Sequence, residues 1–289
     1  SLSAEEKSVL LEEIVVTATR VEESIKDVAQ DVSVITKKEI ESGSYRSVSE
    51  VLRNVMGLKL FEYGNRGSLA SVSLRGSTAE QVLILIDGKR LNKPGDGQFD
   101  LNAISIPLEN IERIEILRGS SSALYGADAM GGVINIITRI PDEPVTKFTA
   151  SYGRFVARNI NLNTSRKIGK AGFYFSVAKE ASEGFRANMQ YDIDSINTKF
   201  TYDISNDIHI NLNVGYSHKD VGLPGSLTWL TPDATQTDET LLTGVTLKIK
   251  NTELKLYCHD SRLHYINPGA EDNTHKIMLE VLTFRAALQ

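Results

Sequence analysis

The second half of the chain alternates. From about Val145 onward, apolar and polar residues change places with period two, the signature of strands that are apolar on one face and wet on the other. Ile208, Ile210, Leu212, Val214 and Tyr216 take one face, and His209, Asn211, Asn213, Gly215 and Ser217 take the other. The same pattern runs through Phe173, Phe175 and Val177, and through Ile196, Thr198, Phe200, Tyr202 and Ile204. It returns in Val245, Leu247 and Ile249, and in Leu254, Leu256 and Cys258. Roughly seven such strands of about ten residues are predicted. They are joined alternately by short turns such as "SND" and by longer loops such as "DVGLPGSLTWLTPDATQT". Strands of that length suit a membrane-spanning barrel, and equally a soluble antiparallel sandwich. The wet faces, with Asn161, Asn163, Asn211 and Asn213, carry neutral hydrogen-bonding groups of the kind a watery lumen holds.

The first half, to about residue 140, mixes periods. "TKKE" (Thr36 to Glu39) and "SVSE" (Ser47 to Glu50) fit the capping box, in which a hydroxyl and a glutamate satisfy free amides at a helix start. Val48, Val51, Leu52 and Val55 follow at i, i+3, i+4, i+7, and Gly57 closes that helix. Strands are predicted at "DVSVIT", "LKLF", "SVSLR", "VLILI", "IEIL" and "VINII". "VLILI" is apolar on both faces and is expected to be covered on both.

Composition narrows the function. The chain has 289 residues, 41% of them hydrophobic, and a net charge of -5. It lacks a basic tail or stripe, so nucleic acid is not an expected partner. Cys258 is the single cysteine, which excludes an internal disulfide and a cysteine metal cluster. No apolar run is long enough for a membrane helix, a test that barrel strands escape. "SLSAEEKSVL" has neither the basic start nor the apolar core of a signal peptide.

Catalytic chemistry is not expected. All five histidines (His209, His218, His259, His264 and His275) lie in the alternating half, far in sequence from Ser120, Ser121 and Ser122. His259 and His264 are five apart on a strand and point to opposite faces. "GADAMGG" departs from the phosphate-binding glycine pattern and reads as a turn between a short helix near Ala123 to Tyr125 and the strand Val133 to Ile137. Asp87, before Gly88, reads as a turn aspartate. No catalytic residue, metal site or cofactor is assigned.

Four motifs then occur in order: "EEIVVTATR", "SLRGS", "VLILIDGKRLN" and "IERIEILRGSSSALYGADAMGGVINIIT". Together, over roughly residues 12 to 140, they closely resemble the plug domain of TonB-dependent outer-membrane receptors. The wording of "GSLASVSLRGSTAEQVLILIDGKRLN" looks most like the cobalamin branch. The resemblance implies an α+β plug domain followed by antiparallel strands of an incomplete transmembrane β-barrel. It divides the chain into residues 1–19 with a TonB box, a plug at 20–140, and the N-terminal part of the barrel at 141–289. A plugged barrel needs about 22 strands, so the sequence reads as a fragment.

The resemblance also implies function and sites. The activity would be energised import of a scarce nutrient (cobalamin, a ferric siderophore or haem) across the outer membrane of a Gram-negative bacterium. Partners would be TonB, that ligand and outer-membrane lipid; a non-transporting surface adhesin is the alternative. The TonB box falls on Glu13, Ile14, Val15, Val16, Thr17 and Ala18, a β-branched segment with no nearby partner strand, suited to strand addition. Arg75 and Arg118 match arginines that meet carboxylates of the inner barrel wall. Here Asp203 and Glu253 are the main wall candidates, and at least one arginine is expected to lack such a partner. Ligand contacts are expected at Tyr63, Asn92, Pro94, Asp96, Gln98 and Phe99, while Trp229 reads equally as an interface anchor. Clustered aspartates for calcium are reduced to Asp192 and Asp194.

Overall fold

The computed structural model describes residues 31–64, 66–92, 97–104 and 106–268, and the backbone of 15–16, 23–24 and 276–288. Among the described residues the first part carries nine strands: β1 (Val15–Val16), β2 (Glu23–Ser24), β3 (Asp31–Thr36), β4 (Leu58–Glu62), β5 (Ala70–Leu74), β6 (Val82–Ile86), β7 (Lys89–Arg90), β8 (Ile111–Arg118) and β9 (Gly132–Thr138). Three short helices accompany them: α1 (Lys37–Ser42), α2 (Val48–Leu52) and α3 (Ser122–Tyr125). All six strand segments expected in this half are present.

The capping signals act locally. At α1 the Glu39 amide donates to Thr36 Oγ1 (3.4 Å) and the Thr36 amide to Glu39 Oε2 (2.7 Å), the complete box. At α2 only half of it forms. Ser47 Oγ accepts from the Glu50 amide at 3.2 Å, but Glu50 reaches the Arg46 amide instead.

Strands β3, β8, β9, β6 and β7 form one sheet in that order, with β6 and β9 parallel and the other pairs antiparallel. Strand β6 is buried at all five positions. Val82, Ile84 and Ile86 enter the main core with Leu52, Leu74, Ile114, Ile116 and Ile134. Leu83 and Leu85 enter a second cluster with Leu117, Tyr125, Ala129 and Val133. Two cores on two faces explain the uninterrupted apolar run. The "GADAMGG" segment is a turn, as expected, after α3. A Cβ on Gly132, whose φ is +150°, would lie 2.4 Å from the Leu117 carbonyl oxygen, so glycine lets β9 start beside β8.

The second part is one antiparallel meander of eight strands: β10 (Val145–Tyr152), β11 (Arg158–Ile168), β12 (Ala171–Ser182), β13 (Tyr191–Ser205), β14 (Ile208–Gly222), β15 (Thr235–Ile249), β16 (Thr252–Ile266) and β17 (Lys276–Leu288). Each strand pairs with its chain neighbours. There is one strand more than expected, and most are longer. Leu212, Val214 and Tyr216 are exposed, whereas Ser217 and Lys219 of the opposite parity are buried against the first part. The orientation expected from alternation is therefore observed.

Register turns single residues into rows. Phe173, Phe200, Leu212, Val245 and Leu256 stand side by side across five strands, and Val177, Ile196, Tyr216 and Leu241 form a second row. The next row toward the long loops is Lys179, Asp194, His218, Glu239 and Arg262. An apolar outer band thus gives way to charge in one step of two residues, as at the edge of a bilayer. Leu212→Arg, in the middle of that band, is expected to destabilise the folded protein in bilayers by about 2–4 kcal/mol, measured by reversible denaturant unfolding. A change near zero would remove lipid from this face.

Candidate functional site

The inner face of the sheet meets the first part through charged and polar pairs. Lys199 of β13 is buried and points at the turn after β6. Its Nζ donates to Asp87 Oδ2 (3.3 Å), to Thr138 Oγ1 and to the Arg139 carbonyl (3.2 Å). Asp87 is a turn residue with φ +49°, as expected, but does more than turn the chain. It also accepts from the Thr138 amide (2.8 Å) and hydroxyl (2.7 Å). Burial works to raise the Asp87 pKa, but Lys199, Lys89 and the Thr138 bonds outweigh it and hold the carboxyl below its usual range.

Lys89 of β7 is buried and donates to Asn213 of β14. Burial brings its amine down to about 8, with Asp87 pulling the other way and Lys199 and Lys255 adding to the fall. Lys219 of β14 bridges the two parts, with Asp100 Oδ2 at 3.0 Å and Asp238 Oδ2 of β15 at 2.8 Å. The Arg90 amide donates to Tyr257 Oη of β16 at 3.1 Å.

Arg66, in the loop between β4 and β5, makes a two-pronged pair with Glu180 of β12 at 2.6 and 2.7 Å. Burial opposes its charge, yet Glu180 raises its pKa overall. A Cβ on the neighbouring Gly67, at φ +91°, would lie 2.7 Å from Val221 Cγ1, so this loop approaches β14 as closely as only glycine permits.

The expected site residues are redistributed. Arg75 and Arg118 both meet Asp31 of β3, Arg118 Nη1 at 3.1 Å. Arg118 also donates to Ser33 Oγ (2.7 Å) and the Met56 carbonyl (3.0 Å). In place of the expected wall contacts, the carboxylate that serves both is Asp31 of β3, which is paired in register with Arg118 on the adjacent strand and is reached by Arg75 from the end of β5, in a separate two-stranded sheet. Asp203 pairs with Lys167 and His209, and Glu253 with Lys255, so neither wall candidate reaches them among the described residues.

Asn92 is corrected as well. It is buried; its Oδ1 accepts from the Ile84 amide (2.7 Å) and its Nδ2 donates to the Val82 and Gly97 carbonyls. Its amide is consumed in closing the loop against β6. Phe99 is also buried, in the main core, with its ring 6.4 Å from that of His259 on β16. Tyr63 is exposed, and Gln98 is half-buried and donates to Glu80 at 2.6 Å. Pro94 and Asp96 lie outside the described residues. So do Glu13, Ile14, Thr17 and Ala18. Val15 and Val16 pair with Ser24 and Glu23, which corrects the reading that this segment has no nearby partner strand. Asp192 and Asp194 both meet Lys179, and among the described residues no group of three or more possible ligands is placed to hold a metal. Trp229 is exposed.

Sequence reasoning missed Lys199, Lys219, Arg66 and Glu180. A signal was present for the first two: Lys199 shares the parity of Asn197, and Lys219 that of Ser217, so both belong to the inward face.

Residues 24–133 match the family described as TonB-dependent Receptor Plug Domain. The chain belongs to the TonB-dependent receptors. It is 33% identical over 210 residues to the vitamin B12 transporter BtuB of Vibrio cholerae, a match covering 72% of this chain and 33% of that one. It is 38% identical over 179 residues to the BtuB of Photobacterium profundum, covering 61% of this chain and 29% of the relative. The chain thus spans about a third of the length of the curated relatives it matches. Among solved structures, the siderophore receptor PiuA from Acinetobacter baumannii superposes with a TM-score of 0.70 at 20% identity, over 92% of this chain and 43% of that one. The first part is therefore a plug domain, and the eight strands are wall of the receptor barrel.

The amine of Lys89 gives this docking a pH signature. Its folded value of about 8 lies below the ordinary 10.5. Between the two values the unfolded chain binds the extra proton, so stability attributable to this residue rises with pH across the window. Relative to Lys89→Met, the unmodified protein is expected to gain thermal stability from pH 8 to pH 10. Parallel pH curves for the two proteins would sink the assignment.

Proposed function

We propose that the receptor to which these residues belong imports cobalamin across the outer membrane of a Gram-negative bacterium, with energy relayed by TonB. The observation that carries this reading is a plug docked by ion pairs on the wet face of a sheet whose other face is apolar and exposed. Cobalamin is favoured over other cargo by the 33–38% identity to vitamin B12 transporters. A ferric siderophore is the second reading, supported by the likeness to a siderophore receptor. Tyr63, exposed beside the Arg66 loop, is proposed as a ligand contact, together with Pro94, Asp96 and Gln98.

The test is uptake by a host stripped of its own receptors and given this one, with labelled cobalamin, ferric siderophores and haem supplied one at a time. Accumulation of cobalamin alone is expected. Siderophore uptake without cobalamin would replace the cargo, and surface binding with no uptake of any would favour an adhesin.

Residues 13–18 are proposed as the segment that adds as a strand to TonB. Their deletion is expected to abolish energy-dependent uptake and leave binding at the cell surface unchanged, because binding and coupling are separate steps. Normal uptake by the deletion variant would refute that role.

A further inference from the structure

Two of the long loops, which in barrels of this kind face outside, are tied to each other by side chains. The first joins β12 to β13 (residues 183–190) and the second joins β14 to β15 (residues 223–234). Arg186 Nη2 donates to the carbonyls of Pro224 and Gly225, both at 3.0 Å. Asn188 Nδ2 donates to the carbonyls of Thr231 (3.0 Å) and Ala234 (2.8 Å). A Cβ on Gly222, the last residue of β14, would lie 2.5 Å from Asn188 Oδ1, so glycine there makes room for the asparagine. The β10–β11 loop joins the same assembly. Its Phe155 carbonyl accepts from the Glu183 amide (2.9 Å) and the Ser182 hydroxyl (3.0 Å), and its ring lies 6.2 Å from that of Phe185.

Backbone carbonyls drawn together between loops are satisfied either by a cation or by N–H donors. Here N–H donors fill the role, and one of them is a charged guanidinium. The carboxylates that a calcium ion would add are engaged elsewhere. Asp192 and Asp194 meet Lys179, and Asp220 meets His218 and the Thr237 hydroxyl. Glu183 and Asp233, in the loops themselves, join no group of three possible ligands among the described residues. The residues present therefore do not fit calcium. What the tied loops display is apolar: Phe185 on the first, and Leu227, Trp229 and Leu230 on the second, are exposed. Large apolar side chains gathered on held loops mark a surface that meets a partner.

We infer that Arg186 and Asn188 are positioning residues that clasp these loops into one metal-independent cap and so hold ready the surface on which ligand lands. The inference rests on the transport reading above, which makes the outward loops the side of arrival. A free loop must be ordered when it binds, and that ordering lowers the affinity. The clasp orders the loops during folding instead. It is built from donors of the chain itself, so its strength does not follow the calcium concentration outside the cell. Neither residue needs to touch the ligand, since each acts through the loop whose carbonyls it holds.

Hydrogen exchange of the full receptor in bilayers, read by mass spectrometry on peptides from residues 183–190 and 223–234, tests the clasp without any cargo. In the unmodified protein, exchange is expected to be equal in EDTA and in calcium. Exchange that EDTA speeds by about tenfold would overturn metal independence, and this arm needs no variant. Asn188→Asp keeps the side-chain size but sets acceptors against the Thr231 and Ala234 carbonyls. It and Arg186→Ala are expected to speed exchange of residues 223–234 by about tenfold or more, with β14 peptides unchanged as the sign of a folded wall. Unchanged protection in both variants would overturn the clasp. Cargo enters in a second measurement. Arg186→Ala is expected to raise the cobalamin concentration for half-maximal uptake by about tenfold and to leave the maximal rate within about twofold. Opened loops with unchanged uptake would overturn the role in ligand capture. Absence of cobalamin uptake by the unmodified receptor would instead sink the cargo reading, and the exchange rates would still decide the clasp.

Discussion

Lysines on the inward face of a lipid-facing sheet need carboxylates, and the plug supplies them. Lys199 and Lys219 sit on strands whose other face is apolar and exposed, so water reaches them only from within. Each meets a plug aspartate, Asp87 at a turn or Asp100 at the start of a short 3-10 helix. Removing one member of such a pair strands a buried charge, at about 3–5 kcal/mol. This constraint fixes how the plug is rotated inside the wall. It also explains why Asp87 holds a left-handed turn, since that conformation presents its carboxylate to Thr138 and Lys199 together.

Most of the fold was legible in the sequence because two periodicities reported it. Period two gave the wall strands and which face is outward. The run Val82 to Ile86 announced burial on both sides, and two separate cores deliver it. What could not be read was pairing between residues far apart in the chain. Asp87 and Lys199 are 112 positions apart, and Arg66 and Glu180 are 114 apart. Arg75 and Arg118 were placed at strand ends from local sequence, but their partner depends on sheet order, which sets β3 beside β8. Asn92 failed for a related reason. An asparagine in a loop near an expected ligand site reads as a contact, whereas three backbone groups of β6 and its loop consume its amide.

Burying ion pairs is a weak source of net stability, because desolvation offsets attraction. It is a strong source of specificity, because the wrong partner leaves a charge alone. A plug docked in this way has one seating and no large excess of binding free energy. On the transport function proposed above, that combination suits an element that closes the barrel and is displaced by a pull on its end. An apolar contact of the same area, with no desolvation to offset it, would hold more tightly and discriminate less.

The same residues that dock the plug also fix strand register. Lys199, Asn213, Lys219 and Tyr257 all lie at inward positions on β13, β14 and β16, each reaching a plug group. A slip of one residue in any of these strands reverses its faces. It would turn a lysine toward lipid on β13 and bring Phe200, Leu212 or Leu256 against the plug's Asp87, Lys89 or Arg90. Lipid on one side and polar or charged plug groups on the other therefore penalise the same error. Register is set from both faces at once, and the alternation visible in the sequence is the record of that double constraint.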